Sequence, residues 1–136
     1  MKHVVIQAAL AAMLAASACA TALAQEGGDG KSLFLKNCAA CHQPSAKGIP
    51  GAFPALAESR FVQGQGSEVA GVLLKGRGGM PDFSESLSDR EIAAVLTFVR
   101  ANFGNRAAGL SEAEVGALRA ALGVEPFGSA VMSNKH

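Results

Sequence analysis

Cys38-Ala39-Ala40-Cys41-His42 is the stretch from which the rest of the chain is read. In a helical turn, positions i, i+3 and i+4 share a face, so both thiols and the imidazole project to one side. Two thioether bonds can then form along one edge of a flat macrocycle while the imidazole reaches its iron, and Cys-x-x-Cys-His is the attachment signature of c-type haem. Other uses fit less well. A dithiol redox motif leaves His42 without a purpose and lacks a surrounding strand, loop and helix pattern. A structural zinc site needs four ligands, and beyond residue 24 only Cys38, Cys41, His42 and His136 are on offer. A Cys38–Cys41 disulfide would close too small a loop to stabilise much.

With 136 residues, 49% of them apolar, the chain suits one small domain and excludes a large multidomain enzyme. Its 12 Lys+Arg against 11 Asp+Glu lack the basic excess of a nucleic-acid binder, and its apolar content is too high for a disordered chain. Residues 1–24 read as an export signal: Lys2 and His3 precede an Ala/Leu/Val-rich run that ends in Ala22-Leu23-Ala24, with cleavage expected before Gln25. A retained membrane anchor and lipid attachment at Cys19 are the alternatives. The second is disfavoured by Ala16, where such signals carry a larger aliphatic residue. Export fits the motif, since covalent haem attachment in bacteria takes place outside the cytoplasm, and it points to the periplasm.

The order of elements predicts an all-α domain. A first helix is expected over Lys31 to Ala40, with Asp29 near its start, and a long loop over 43–66, where three of the Pro residues fall. A second helix is expected over Ser67 to Lys75, capped by Ser67 and ended by Gly76. Ser88-Asp89-Arg90-Glu91 is a capping box that opens the strongest helix, with Ile92, Val95, Leu96, Val99 and Phe103 on one face before Gly104. Ser111 and Glu114 repeat the box ahead of Val115, Leu118 and Leu122, and Gly123 stops that helix. The resulting division is a signal at 1–24, a haem domain at 25–108, an additional helix at 109–123 and a flexible tail at 124–136. Seven Phe with no Trp or Tyr are few large side chains for a core, so a bulky cofactor would complete it.

An iron held by His42 has a second axial position, for which Met80, Met132 and His136 are the candidates. Met80 is preferred. Gly78-Gly79 lets the backbone approach a flat macrocycle, and Pro81 stiffens the loop just after the sulfur. Met is also an adaptable core filler, but a loop position between Gly-Gly and Pro suits generic packing poorly.

On these residues the chain resembles the class I c-type cytochromes over roughly residues 29–104. Gly79-Met80-Pro81-Asp82-Phe83, Leu87-Ser88-Asp89 and the run from Ile92 to Arg100 are similar to small bacterial cytochromes and to cytochrome subunits of periplasmic dehydrogenases. The resemblance implies that Gly30 and Phe34 sit where the first helix crosses the last, around Leu96 and Phe98. It also implies that Pro54, in Pro54-Ala55-Leu56, accepts the His42 ring N–H while Leu56 packs on the haem.

The expected function is therefore one-electron transfer by a non-enzymatic carrier with one haem c, bound through Cys38 and Cys41 and ligated by His42 and Met80. Its partners would be redox proteins, a dehydrogenase as donor and an oxidase or reductase as acceptor. Neither nucleic acid nor a small-molecule substrate is expected, and a membrane only if the signal segment is retained. The alternatives are a ligand sensor or weak peroxidase with a labile Met80, which the want of a spare His in the folded core counts against, and an assembly subunit whose haem is incidental. Residues 31–80 carry a basic excess, and Lys36, Lys47, Lys75 and Arg77 are expected to flank an exposed haem edge and steer an acidic partner. An ordinary solvated surface is the competing expectation.

Overall fold

The computed structural model describes residues 29–129. The expected signal at 1–24, the alternative ligands Met132 and His136 and the end of the tail lie outside them. Six helices follow in order: α1 (Gly30–Asn37), α2 (Ala39–His42), α3 (Arg60–Gln63), α4 (Gly66–Lys75), α5 (Asp89–Ala101) and α6 (Glu112–Ala121). No strand occurs among the described residues, which show only isolated bridges at Ile49–Phe53 and Arg77–Met80. The all-α expectation holds.

Local caps account for the helix starts. Asp29 Oδ1 accepts the Ser32 N–H at 2.9 Å to open α1, and α5 and α6 each begin with the expected reciprocal capping box. Several elements differ from expectation. The first helix breaks at Cys38 (φ −118°), so the attachment motif occupies a turn of its own, in which the His42 N–H returns to the Cys38 carbonyl at 2.9 Å. The second long helix begins after Gln65 instead of Ser67, with no side-chain cap. Its start is set by tertiary packing, because a Cβ on Gly66 would lie 3.2 Å from the Leu110 side chain. The third difference is α3, which forms inside the stretch expected to be loop; Ser59 caps it, and Val62 is buried beneath it.

α1 and α5 cross at a point where no side chain fits: a Cβ on Gly30 would collide with the Ala94 carbonyl and lie 2.6 Å from Phe98 Cβ. The crossing thus centres on Ala94 and Phe98, and Leu96 is buried in the core. α5 stops at Ala101, earlier than the apolar period suggested. Phe103 lies beyond it at φ +57°, its carbonyl accepting the Glu58 N–H at 3.0 Å. From that loop its ring meets Phe34 (centroids 5.0 Å apart) and Phe98 (5.5 Å). α6 packs across α4 and α5 and buries Val115 and Arg119. After Gly123 the Val124 N–H returns to the Arg119 carbonyl at 3.1 Å, so the first residues of the expected tail pack back on the helix.

Candidate haem-binding site

His42 is 6% exposed, and its Nδ1 lies 2.9 Å from the Pro54 carbonyl. A carbonyl can only accept, so Nδ1 carries the proton and the lone pair falls on Nε2. Nε2 has no hydrogen bond among the described residues, yet it is not a sealed, unpartnered atom. It therefore keeps some access to solvent.

A tightly folded loop holds the Pro54 carbonyl there. The Gly48 N–H donates to the His42 carbonyl at 2.9 Å, and Ile49 and Phe53 exchange backbone bonds at 2.8 Å. Gly48, at φ +64°, must be glycine, because a Cβ would strike the Phe53 carbonyl and lie 2.6 Å from that of Pro54. Ala46 is fully buried at φ +58°, and its carbonyl accepts the N–H groups of both Leu56 (2.8 Å) and Ala57 (2.9 Å). Asn105 ties the loop to the end of α5. Its amide donates at 2.9 Å to the carbonyls of Leu56 and Val99, and its oxygen accepts the Ser59 N–H at 3.1 Å.

Cys38 is half-buried, Cys41 is exposed, and neither is in a disulfide. Burial, with a smaller contribution from neighbouring Cys41, pushes the Cys38 thiol up to about 11. A dithiol oxidoreductase attacks through a thiolate near neutral pH, a role to which Cys38 is poorly suited.

Met80 arrives from a different direction, on a hairpin closed by two bonds of 3.0 Å between its own N–H and C=O and those of Arg77. Gly76 (φ +71°) makes room for it, since a Cβ there would lie 2.8 Å from the Met80 carbonyl. The turn residues Gly78 and Gly79 face open space. Cys38, Leu56 and Met80 are all partly buried against one apolar core. His42 and Pro54 are thus joined by a direct hydrogen bond, whereas Leu56 and Met80 share only the apolar core.

The donor set suits a macrocycle better than a bare ion. Among the described residues no three His, Cys, Asp or Glu converge on a metal position, whereas the chain offers an imidazole nitrogen, two unpaired thiols and a thioether, and Ile49 and Phe53 on the His42 loop are exposed. An open cleft of about 370 Å³ runs along this loop, walled by Lys47, Pro50, Phe53 and Pro54.

Some supports were not evident from sequence. Arg100 is buried and donates to the carbonyls of Val62, Gly64 (3.1 Å) and Ala108 (2.6 Å). Its place four residues after Leu96 on the apolar stripe was the signal that it faces inward. Asn105 and α3 left no such signal. Of the four charges expected near the cofactor, Lys36, Lys47 and Lys75 are exposed, and Arg77 lies over the Phe61 ring, 4.9 Å from its centroid.

Residues 25–99 match the family described as cytochrome c oxidase, cbb3-type, subunit III. The chain is 34% identical over 115 residues to the cytochrome c subunit of a quinone-dependent alcohol dehydrogenase from Gluconobacter oxydans, covering 73% of this chain and 24% of that protein. It is 38% identical over 100 residues to cytochrome c-552 of Thermus thermophilus, covering 62% and 65%. It is 36% identical over 76 residues to cytochrome c6 of Microcystis aeruginosa, covering 54% and 93%. The chain therefore spans about a quarter of the alcohol dehydrogenase subunit and nearly all of the smallest relative.

Proposed function

Because the chain belongs to the class I c-type cytochromes, electron carriers with covalently bound haem c, we propose that it is a periplasmic one-electron shuttle, freed by removal of residues 1–24. It takes electrons from a dehydrogenase and passes them to an oxidase or reductase. The likeness to a dehydrogenase cytochrome subunit supports the donor side. Residues 25–108 form the haem domain, and 109–123 add a helix to it.

When bound, the haem supplies one-electron exchange between ferric and ferrous iron. The residues supply the rest. Cys38 and Cys41 would anchor it through thioethers, His42 Nε2 and the Met80 sulfur would ligate the iron, and Leu56 would pack against the ring. Pro54 orients the imidazole and strengthens its donation by holding the Nδ1 proton. Ligation by the Met80 thioether would favour the ferrous state, which suits a carrier of electrons. Lys36, Lys47 and Lys75 draw an acidic partner toward the site, an attraction that added salt weakens.

The single observation carrying this reading is the 2.9 Å contact of His42 Nδ1 with the Pro54 carbonyl, which leaves the lone pair on Nε2. Mass spectrometry of denatured, exported protein tests it: one haem should stay bound to a chain that begins at Gln25. Cys38→Ser and Cys41→Ser should each weaken retention. A denatured wild-type chain free of haem would overturn the proposal.

A further inference from the structure

α3 is only four residues long, yet it is held from below. Ser59 caps it, the Ser59 N–H donates to Asn105 at 3.1 Å, and buried Arg100 clasps the carbonyls of Val62 and Gly64 at its far end. Val62 points into the core and Phe61 is exposed beside it. Phe61 is thus an aromatic platform fixed to the rigid end of α5. The guanidinium of Arg77 lies 4.9 Å from the centroid of that ring, within cation–π range. Arg77 is also the residue that exchanges both backbone hydrogen bonds with Met80. One residue therefore joins the hairpin carrying the thioether to a platform on another element.

We propose that Arg77 and Phe61 form a clamp that sets how readily Met80 leaves the iron. The proposal rests on Met80 being the axial ligand. Glycines at 76, 78 and 79 make the hairpin intrinsically pliable, and between Gly76 and Pro81 only Arg77 and Met80 carry side chains able to anchor it. A movement of the hairpin that carries Met80 away moves the Arg77 backbone to which it is bonded. That movement lifts the guanidinium off Phe61. The cation–π contact is thus lost in the open state and retained in the closed one, and it biases the hairpin toward ligation. Arg77 and Phe61 act through Met80 and are positioning residues.

The test is the rate at which imidazole binds the ferric holoprotein, a neutral probe whose entry waits on departure of the thioether. Phe61→Leu keeps apolar bulk and removes no charge, Arg77→Ala removes the cation, and both changes are on the surface. Each should speed binding about two- to fivefold, the factor expected for one exposed cation–π contact. The double variant should be no faster than the faster single, and Arg77→Lys, which keeps a cation, should recover part of the wild-type rate. Met80→Ala separates the two readings, because it should bind imidazole without the slow step. A wild-type rate in Met80→Ala would show that Met80 is not the ligand and would overturn both. Fast binding in Met80→Ala with wild-type rates in Phe61→Leu and Arg77→Ala, or additive effects of those two, would overturn the clamp alone.

Discussion

Arg119 Nε, on the last turn of α6, donates to Asp89 Oδ1, on the first turn of α5, at 2.7 Å, with 4% of the arginine side chain and 24% of the aspartate exposed. The same guanidinium donates at 3.0 Å to the carbonyls of Ser84 and Glu125. One cation thereby joins the added helix, the start of α5, the segment following Met80 and the chain beyond Gly123. Arg119→Met leaves Asp89 and these carbonyls short of partners in a largely dry place. It should cost about 3 kcal/mol, the low end for a broken buried pair because water still reaches Asp89. Denaturant unfolding of the holoprotein measures this, and a loss below about 1 kcal/mol would place the pair among surface ion pairs.

Gly30→Ala puts a methyl group onto the Ala94 carbonyl and Phe98 Cβ. α1 and α5 must then separate, which loosens the Phe34 and Phe98 contact. Overpacking of this kind should cost about 3 kcal/mol, with a lower thermal midpoint of the holoprotein. An unchanged midpoint would mean that the crossing can shift freely.

Asn105→Ala removes three hydrogen bonds and leaves the Ser59 N–H and the carbonyls of Leu56 and Val99 without them. A loss of about 2 kcal/mol is expected. Because Leu56 follows Pro54 by two residues, the orientation of the His42 ring should also loosen, visible as a broadened spread of signals from the imidazole and haem methyl groups by NMR. Lost stability with those signals unchanged would confine Asn105 to structural support.

Acid should loosen the serine-capped turns. Backbone and then side-chain hydrogen bonds from Ser111 lower the Glu114 pKa from its ordinary 4.5. Asp29 and Asp82 lie below the ordinary 3.8, through Ser32 and Ser84 respectively. A depressed carboxylate pKa means that the unfolded chain binds the proton first, so the contribution is full above the ordinary value and is lost as pH falls through the folded one. The protection of the α6 amides against hydrogen exchange, relative to the unfolded chain at the same pH, should therefore fall below pH 4.5, and Ser111→Ala should flatten that dependence. A slope unaffected by Ser111→Ala would locate the acid sensitivity elsewhere.

What could be read from the sequence was what depends on near neighbours. Cys38, Cys41 and His42 lie within one turn, and the boxes at Ser88 and Ser111 span four residues each, so each signal is complete within a short window. The features that escaped are maintained across the chain. Nothing around Arg60 announces α3, because its support comes from Arg100 and Asn105, some forty residues away. The apolar period ran on to Phe103, but that ring reaches Phe34 from a left-handed loop residue secured by Glu58. Ser67 carried a good capping signature and lost to Gly66, whose missing side chain lets Leu110 settle against the helix start. Met80 was singled out by its glycines and proline, whereas the Arg77 contact with Phe61 joins residues sixteen apart, one on the hairpin after α4 and one on α3, and leaves no periodic trace.

The cluster of Phe34, Phe98 and Phe103 is built from three rings of one kind, and the whole sequence holds no Trp or Tyr. Phenyl rings lack the phenol or indole that can be oxidised on the way between donor and acceptor, so the interior offers an electron no aromatic resting place. A transfer from the cofactor to a docked protein would gain no aromatic relay within this chain, so its rate would depend steeply on how closely the two approach.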